Sequence, residues 1–370
     1  MKVVHMIDSE GMYGAEYVLY NLLPCLRNIG IEAMLACLSP TDSAGADLGR
    51  ALEEKSVPVV YLDERKKISP KGLLFIYRML RSSRSDILHV HGYKATILGG
   101  MVARAAGVPI IATYHAEAGK YPDLSKYVRM ETPFLRAAVR IIAVSKVIKD
   151  ELTQRGIPQG KISVIHNGIE DPMRHAMEDC SMACENEAAF SILCVGRLIP
   201  VKRFDLVIRA VSILRNEFDN MHLTIAGAGP LETELKSMVI KLGLGNSVSL
   251  PGYVSDTEVL FRQADIFVLP SETEGSPITL IEAMAYAKPI VASAVGAIPE
   301  MVGGDAAGTQ LIAPGNLEQL IDALRQFISD SAYRRESGRL ARKWFERCFT
   351  AETMATRYGE QYEACLRGVR

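Results

Sequence analysis

Glu274 and Glu282 stand with seven residues between them, in Glu274-Gly275-Ser276-Pro277-Ile278-Thr279-Leu280-Ile281-Glu282. Pro277 suits a first helical position and Ser276 an N-cap. The apolar run continues through Ala283, Met284 and Ala285, so it reads as a buried helix. Glu274 then lies in the loop ahead of that helix, beside the free N–H groups near Gly275 and Ser276, and Glu282 lies more than one turn inside. A helix start favours an anion, and a carboxylate accepts hydroxyls. The arrangement suits a ligand with sugar hydroxyls at one end and phosphates nearby. A second pair, cationic this time, fits the same ligand. Arg197 and Lys202 flank the short loop Gly196-Arg197-Leu198-Ile199-Pro200-Val201-Lys202. A planar guanidinium and a point-charge ammonium five positions apart can clamp one diphosphate.

Further segments end strands. Asp8-Ser9-Glu10-Gly11-Met12-Tyr13-Gly14 opens a helix, and its glycines let backbone N–H groups approach a ligand. Gly11 and Gly14 are three apart with no third glycine, so it is not a dinucleotide fingerprint. His115 closes Ala112-Thr113-Tyr114-His115, at the strand end where open α/β sheets bind ligands. It could donate to a sugar hydroxyl or stabilise developing charge. His91 is the next candidate, whereas His5 and His89 read as satisfied core residues.

These residues need strands and helices to carry them. Strands are expected at Lys2–Ile7, 33–38, 57–62, Ile87–His91, 110–115, 140–145 and 162–166. Helices are expected at 15–29 and 71–82, from apolar spacing. Residues 170–189 are polar and aperiodic and read as a linker. A second series has strands at 190–197, 223–226, 248–250, 265–269, 289–292 and 310–312. Residues 350–366 read as a helix with Met354, Tyr358, Tyr362 and Cys365 on one face. Short strands alternating with helices, twice over, indicate two doubly wound α/β domains, at 1–170 and 190–349.

The chain resembles the retaining family 4 glycosyltransferases of the GT-B fold. The two glutamates, the following Glu-Ala-Met-Ala and the Arg–Lys loop carry the likeness, with matching segments in order over almost the whole chain. It implies two Rossmann-like domains facing across a cleft, with the helix at 350–370 crossing back onto the first. It implies that Glu274 holds donor-sugar hydroxyls and Glu282 the ribose, while Arg197 and Lys202 stabilise the departing diphosphate. His115 resembles a donor-contacting histidine, and Gly11 and Gly14 the family's first glycine-rich loop, which lies against the donor diphosphate and near the acceptor. Gly227-Ala228-Gly229-Pro230 resembles a nucleotide-side loop, Gly252-Tyr253-Val254 the segment whose backbone meets the base, and His166-Asn167-Gly168 the family's Asn-Gly loop. The implied donor is a nucleoside diphosphate-sugar, most simply a UDP-sugar. The implied acceptor is a hydroxyl of a glycan or lipid-linked molecule in cell-surface polysaccharide or lipopolysaccharide synthesis. The competing readings are a nucleotide-sugar epimerase of the same fold and a non-catalytic sugar-nucleotide-binding subunit.

Composition narrows the field. A chain of 370 residues suggests two domains, and its net charge of -1 does not suggest nucleic acid. No run spans a bilayer, and the apolar Val3–Ile7 reads as a strand rather than a signal sequence. Seven scattered cysteines fit a reducing cytoplasm. Cys180 and Cys184 lack partners at zinc spacing. No Asp-x-Asp occurs to hold a divalent cation, so neither metal nor cofactor is expected. Lys71–Arg84 is basic and amphipathic, and Lys120, Lys126, Arg129, Arg136 and Arg140 follow. The helix is expected to pack on its own sheet, with peripheral membrane contact left open.

Overall fold

The computed structural model describes residues 1–9, 11–62, 69–115, 125–174 and 189–369, without the side chains of 125–128, 305 and 369. Glu10, Lys120, Cys180, Cys184 and most of the expected linker lie outside these residues, as does the side chain of Lys126. The chain forms two compact units, one of Met1–Glu170 with Thr350–Arg370 and one of Asp171–Phe349.

The first unit carries a seven-stranded parallel sheet. Its strands are β1 (Lys2–Ile7), β2 (Glu32–Cys37), β3 (Val59–Tyr61), β4 (Ile87–His91), β5 (Ile110–Tyr114), β6 (Arg140–Ala143) and β7 (Ile162–Val164). Their order is β3-β2-β1-β4-β5-β6-β7. β4 and β5 are buried at every position, as parallel strands covered on both faces require. On one face Val4, Met6, Leu88 and Val90 join a core with Ile76, Leu80, Leu98 and Val102 from flanking helices. Alternation sends His5, His89 and His91 to the other face. The helix Gly14–Asn28 buries Val18, Leu19, Leu22, Leu23 and Leu26. The helix Pro70–Ser82 starts where Ser69 Oγ accepts the Gly72 N–H at 2.9 Å, with proline at its first position. The helix Ala351–Val369 belongs to this unit, buries Tyr358 and Tyr362, and donates the Ala351 N–H to the Ile169 carbonyl at 2.8 Å.

The second unit has a six-stranded parallel sheet in the order β10-β9-β8-β11-β12-β13. The strands are β8 (Phe190–Val195), β9 (Met221–Ala226), β10 (Val248–Gly252), β11 (Ile266–Leu269), β12 (Ile290–Ser293) and β13 (Thr309–Ile312). Strand order reverses direction at β1/β4 in the first sheet and at β8/β11 in the second. Ligands of open α/β sheets bind beyond the strand ends at such a reversal.

The loops beyond the second sheet touch backbone to backbone. A Cβ on Gly227 would stand 1.9 Å from the Gly196 carbonyl oxygen, and one on Gly229 2.5 Å from that of Leu198. No side chain fits there. Gly227→Ala should therefore destabilise the chain by at least about 2 kcal/mol. Gly160→Ala, whose Cβ would meet nothing within 4 Å, should leave the melting temperature nearly unchanged in the same thermal scan.

Candidate active site

At the reversal point of the second sheet, the loops after β8 and β11 meet. The Glu272 N–H donates to the Val201 carbonyl at 2.8 Å. Arg203, in left-handed backbone at φ 50°, donates to Glu272 at 2.6 Å and to Asp205 at 3.0 Å. Between these anchors, Lys202 Nζ donates to Glu274 Oε1 at 2.6 Å. Ser271 Oγ donates to the same oxygen at 2.6 Å. The Lys202 and Glu274 side chains are only 17% and 9% exposed, so each charge relies on the other. The Glu274 carbonyl is held by the Ala297 N–H at 3.1 Å, and a Cβ on Gly296 would overlap it at 1.9 Å. Only a glycine lets the β12 loop press on the Glu274 backbone.

The sequence assigned Lys202 to phosphate and Glu274 to sugar, and the structure brings the two into one ion pair. Gly196 lies against it, since a Cβ there would stand 3.7 Å from Lys202 Cε. Arg197 is exposed, and its guanidinium has no partner among the described residues. Gly227 joins the group through its contact with Gly196 and by donating its N–H to the Gly252 carbonyl at 2.8 Å. Tyr253, the next residue, is 71% exposed. Val254 is half-buried.

The helix after Glu274 spans Ile278–Ala285, with Pro277 as its N-cap in extended backbone. This corrects the expected start by one residue. Pro277 adopts ψ 117°, which is not helical, so the turn opens at Ile278 and Ser276 and Gly275 stay in the loop. Glu282 is half-buried and takes a side-chain hydrogen bond from Thr257. Burial pushes its carboxyl up to about 7 despite that bond.

In the first unit, the loop after β1 is shaped by side chains that sequence reasoning missed. Ser39 Oγ donates to the Ser9 carbonyl at 2.7 Å, and Lys94 Nζ donates to Asp8 at 2.9 Å. Glu16, buried in the first turn of the next helix, accepts the Tyr13 N–H at 3.3 Å. A Cβ on Gly14 would meet nothing within 4 Å among the described residues. Two carboxylates here favour hydroxyls over phosphate as ligands. The signal for Lys94 was weak, a lone lysine three residues past a strand.

His115 directly follows β5, with its Nε2 hydrogen-bonded to His91 Nδ1 at 3.0 Å. His91 Nε2 is 3.1 Å from His5 Nδ1. His89 is bonded at 2.7 Å to Tyr362 Oη and at 2.7 Å to Thr113 Oγ1. Burial lowers all four imidazoles, His5 to about 3, His115 to about 4, and His89 and His91 well below the ordinary value. All four are therefore neutral at neutral pH. Beside them Arg155 donates to Tyr114 Oη at 2.6 Å and to Glu131 at 2.9 Å, fixing the end of β5. His166 instead bonds the Val144 carbonyl at 3.1 Å, and Asn167 is buried, a turn-forming role. Among the described residues, His5, His89 and His91 are the cluster whose ligand atoms could surround a metal, all within 4.8 Å.

Comparison with known proteins shows the family and the fold. The model described as Glycosyltransferase Family 4 matches residues 12–171, and that of Glycosyl transferases group 1 matches residues 184–344. The glycogen synthase of Mycobacterium tuberculosis H37Rv is 30% identical over 300 residues, covering 78% of this chain and 71% of that protein. The chain is a family 4-type GT-B glycosyltransferase. The glycosyltransferase is also 27% identical to the UDP-Gal:alpha-D-GlcNAc-diphosphoundecaprenol alpha-1,3-galactosyltransferase of Escherichia coli, over 70% of each chain. The crystal structure of Anabaena HepE in complex with UDP superposes with a TM-score of 0.82 at 20% identity, covering 98% of this chain and 100% of that one. Its relatives thus include enzymes named for polysaccharide and lipid-linked glycan synthesis.

The ion pair gives a test that needs no substrate. Lys202→Met and Glu274→Gln should each lower the melting temperature, because each strands a partner. The double variant should lose less than the two shifts combined, with a coupling of about 0.5–3 kcal/mol. Additive losses in a thermal-unfolding cycle would show that the pair is not coupled.

Proposed function

We propose that this glycosyltransferase moves a sugar from a UDP-sugar to a hydroxyl of a glycan or lipid-linked acceptor, with retention of anomeric configuration and without a metal. The observation that carries this is the Lys202–Glu274 pair at the reversal of the second sheet, next to the unpartnered Arg197. The uridine diphosphate seen in HepE and the acceptor named for the Escherichia coli enzyme support the choice of donor and acceptor class.

Arg197 and Lys202 take the diphosphate, whose charge grows as the bond to the anomeric carbon breaks, the largest electrostatic demand of the step. Glu274 Oε2, the oxygen not engaged by Lys202 and Ser271, accepts sugar hydroxyls. The N–H groups of Gly275 and Ser276 and the turn at Pro277 lie beside it. Gly196, Gly227 and Gly229 bring backbone close to the nucleotide, Tyr253 and Val254 border the base, and Glu282 accepts the ribose hydroxyls. Gly11 and Gly14 leave room for an acceptor hydroxyl, and His115 bonds a sugar hydroxyl. In the front-face step, the carbon–oxygen bond to the diphosphate breaks and the acceptor oxygen bonds the same face. The acceptor proton passes to the leaving phosphate oxygen, so no protein nucleophile is needed.

We also propose a cytoplasmic enzyme that touches the membrane peripherally. Leu74 and Phe75 are 46% and 45% exposed on the helix Pro70–Ser82, with exposed Lys71, Arg78 and Arg81 around them. Apolar side chains ringed by cations suit an anionic lipid surface. Among the described residues no helix is long and apolar enough to cross a membrane.

Two measurements test the reading. With a UDP-sugar and a lipid-linked glycan acceptor, product NMR should show the donor's anomeric configuration kept, at full rate in excess EDTA. An inverted product or dependence on added divalent cation would refute it. The second concerns Glu282, held near 7 by burial. Ribose hydroxyls bond the ionised carboxylate, so binding favours proton loss, and affinity for an intact UDP-sugar, whose phosphates do not titrate near neutrality, should rise as pH rises through about 7. Calorimetry across pH should show that rise in the wild type and a flat profile in Glu282→Gln. A rise that persists in the variant would remove Glu282 from the nucleotide site.

A further inference from the structure

One unbranched hydrogen-bonded chain runs through the first unit beneath the helix Ala351–Val369. Tyr358 Oη is 3.3 Å from Thr113 Oγ1, which is 2.7 Å from His89 Nε2. His89 Nδ1 is 2.7 Å from Tyr362 Oη, and Tyr362 Oη is 3.4 Å from His5 Nε2. His5 Nδ1 then meets His91 Nε2 at 3.1 Å, and His91 Nδ1 meets His115 Nε2 at 3.0 Å. The chain stops at His115 Nδ1, which is shut off from solvent and has no partner among the described residues.

A neutral imidazole offers one N–H and one lone pair, so each ring passes the direction of its bonds to the next. Tyr358 Oη has Thr113 as its partner, and its buried proton must go there or nowhere. If it does, Thr113 donates to His89 Nε2, and His89 donates from Nδ1 to Tyr362. Tyr362 then donates to His5 Nε2, His5 from Nδ1 to His91, and His91 from Nδ1 to His115 Nε2. The one group left over is an N–H on His115 Nδ1. The opposite direction strands two groups, the Tyr358 proton and the His115 Nδ1 lone pair. Reversing the segment of His5, His91 and His115 alone also strands two, the Tyr362 proton and that same lone pair. An unmade bond in a buried site is costly, so the arrangement with one defect wins. Metal binding by His5, His89 and His91 would have to displace one of the two hydroxyl partners of His89.

We propose that Tyr358 and Tyr362 act as positioning residues that lock His115 as its Nδ1–H tautomer, so that it meets its ligand as a hydrogen-bond donor and not as a base. The tautomer follows from the first unit alone. The identity of the acceptor atom, an oxygen of the donor sugar, rests on the function proposed above.

Imidazole-nitrogen NMR on the intact, ligand-free chain with isotope-labelled histidine separates protonated from bare nitrogens, and His115→Asn assigns the ring. His115 protonated at Nδ1 is expected, and protonation at Nε2 overturns the proposal. Tyr362→Phe keeps the ring and removes the hydroxyl, so the His115 signals should move toward a mixture of tautomers. Unchanged signals in a folded variant would remove Tyr362 from the role. If that variant does not fold, the wild-type spectrum still decides the tautomer.

Kinetics test the ligand side, because the asparagine amide overlays Nδ1 and the glutamine amide overlays Nε2. His115→Asn should keep most of kcat/KM for the UDP-sugar, and His115→Gln should lose roughly tenfold. Equal losses would overturn the donor role. Normal kinetics in both, with Nδ1–H seen by NMR, would mean instead that the ligand lies elsewhere.

Discussion

The ammonium of Lys202 and the carboxylate of Glu274 hold the candidate site in shape before any ligand arrives. Either charge alone would be expensive to keep out of water. Together, with Ser271 on the same oxygen, they fix both loops beyond β8 and β11. In the function proposed above, an incoming diphosphate competes with Glu274 for the same ammonium, so that binding redistributes an existing interaction and leaves the carboxylate free to turn toward the sugar. Glycine stands at 227, 229 and 296 because backbone must reach where a Cβ would collide.

The first unit solves a different problem. Its sheet face beneath the helix Ala351–Val369 is filled with imidazoles and phenols where aliphatic packing would be simpler. Partnered throughout except at one nitrogen, such a layer fixes the register of that helix more sharply than an apolar face would. The directionality of the bonds also gives a distant side chain influence over the strand end at His115.

Most of the architecture was legible because parallel strands buried on both faces leave apolar runs, unbroken at β11 and interrupted at β4 only by its two histidines. Element ends were less so, and Pro277 shows why. Proline tolerates both the first helical position and the residue before it, so sequence alone does not separate them. The placement of Glu274 before its helix and Glu282 within it was readable from spacing. Their partners were not. Ser271, Thr257 and Lys94 are ordinary polar residues whose importance comes from which loops the strand order brings together. The histidine chain was half visible: alternation marked His89 and His91, but nothing local connected them to tyrosines more than 250 positions away.

Ile169 and Thr350 pair side by side in one isolated parallel bridge, although the whole of Asp171–Phe349 lies between them in sequence. The second unit is thus an insertion within the first. On the ribosome this imposes an order of events. The inserted unit emerges complete while the first still lacks Tyr358 and Tyr362, and its imidazoles face water or collapse without their phenols. The first unit reaches its final form only after the second has been made, so its maturation is timed by the synthesis of its neighbour.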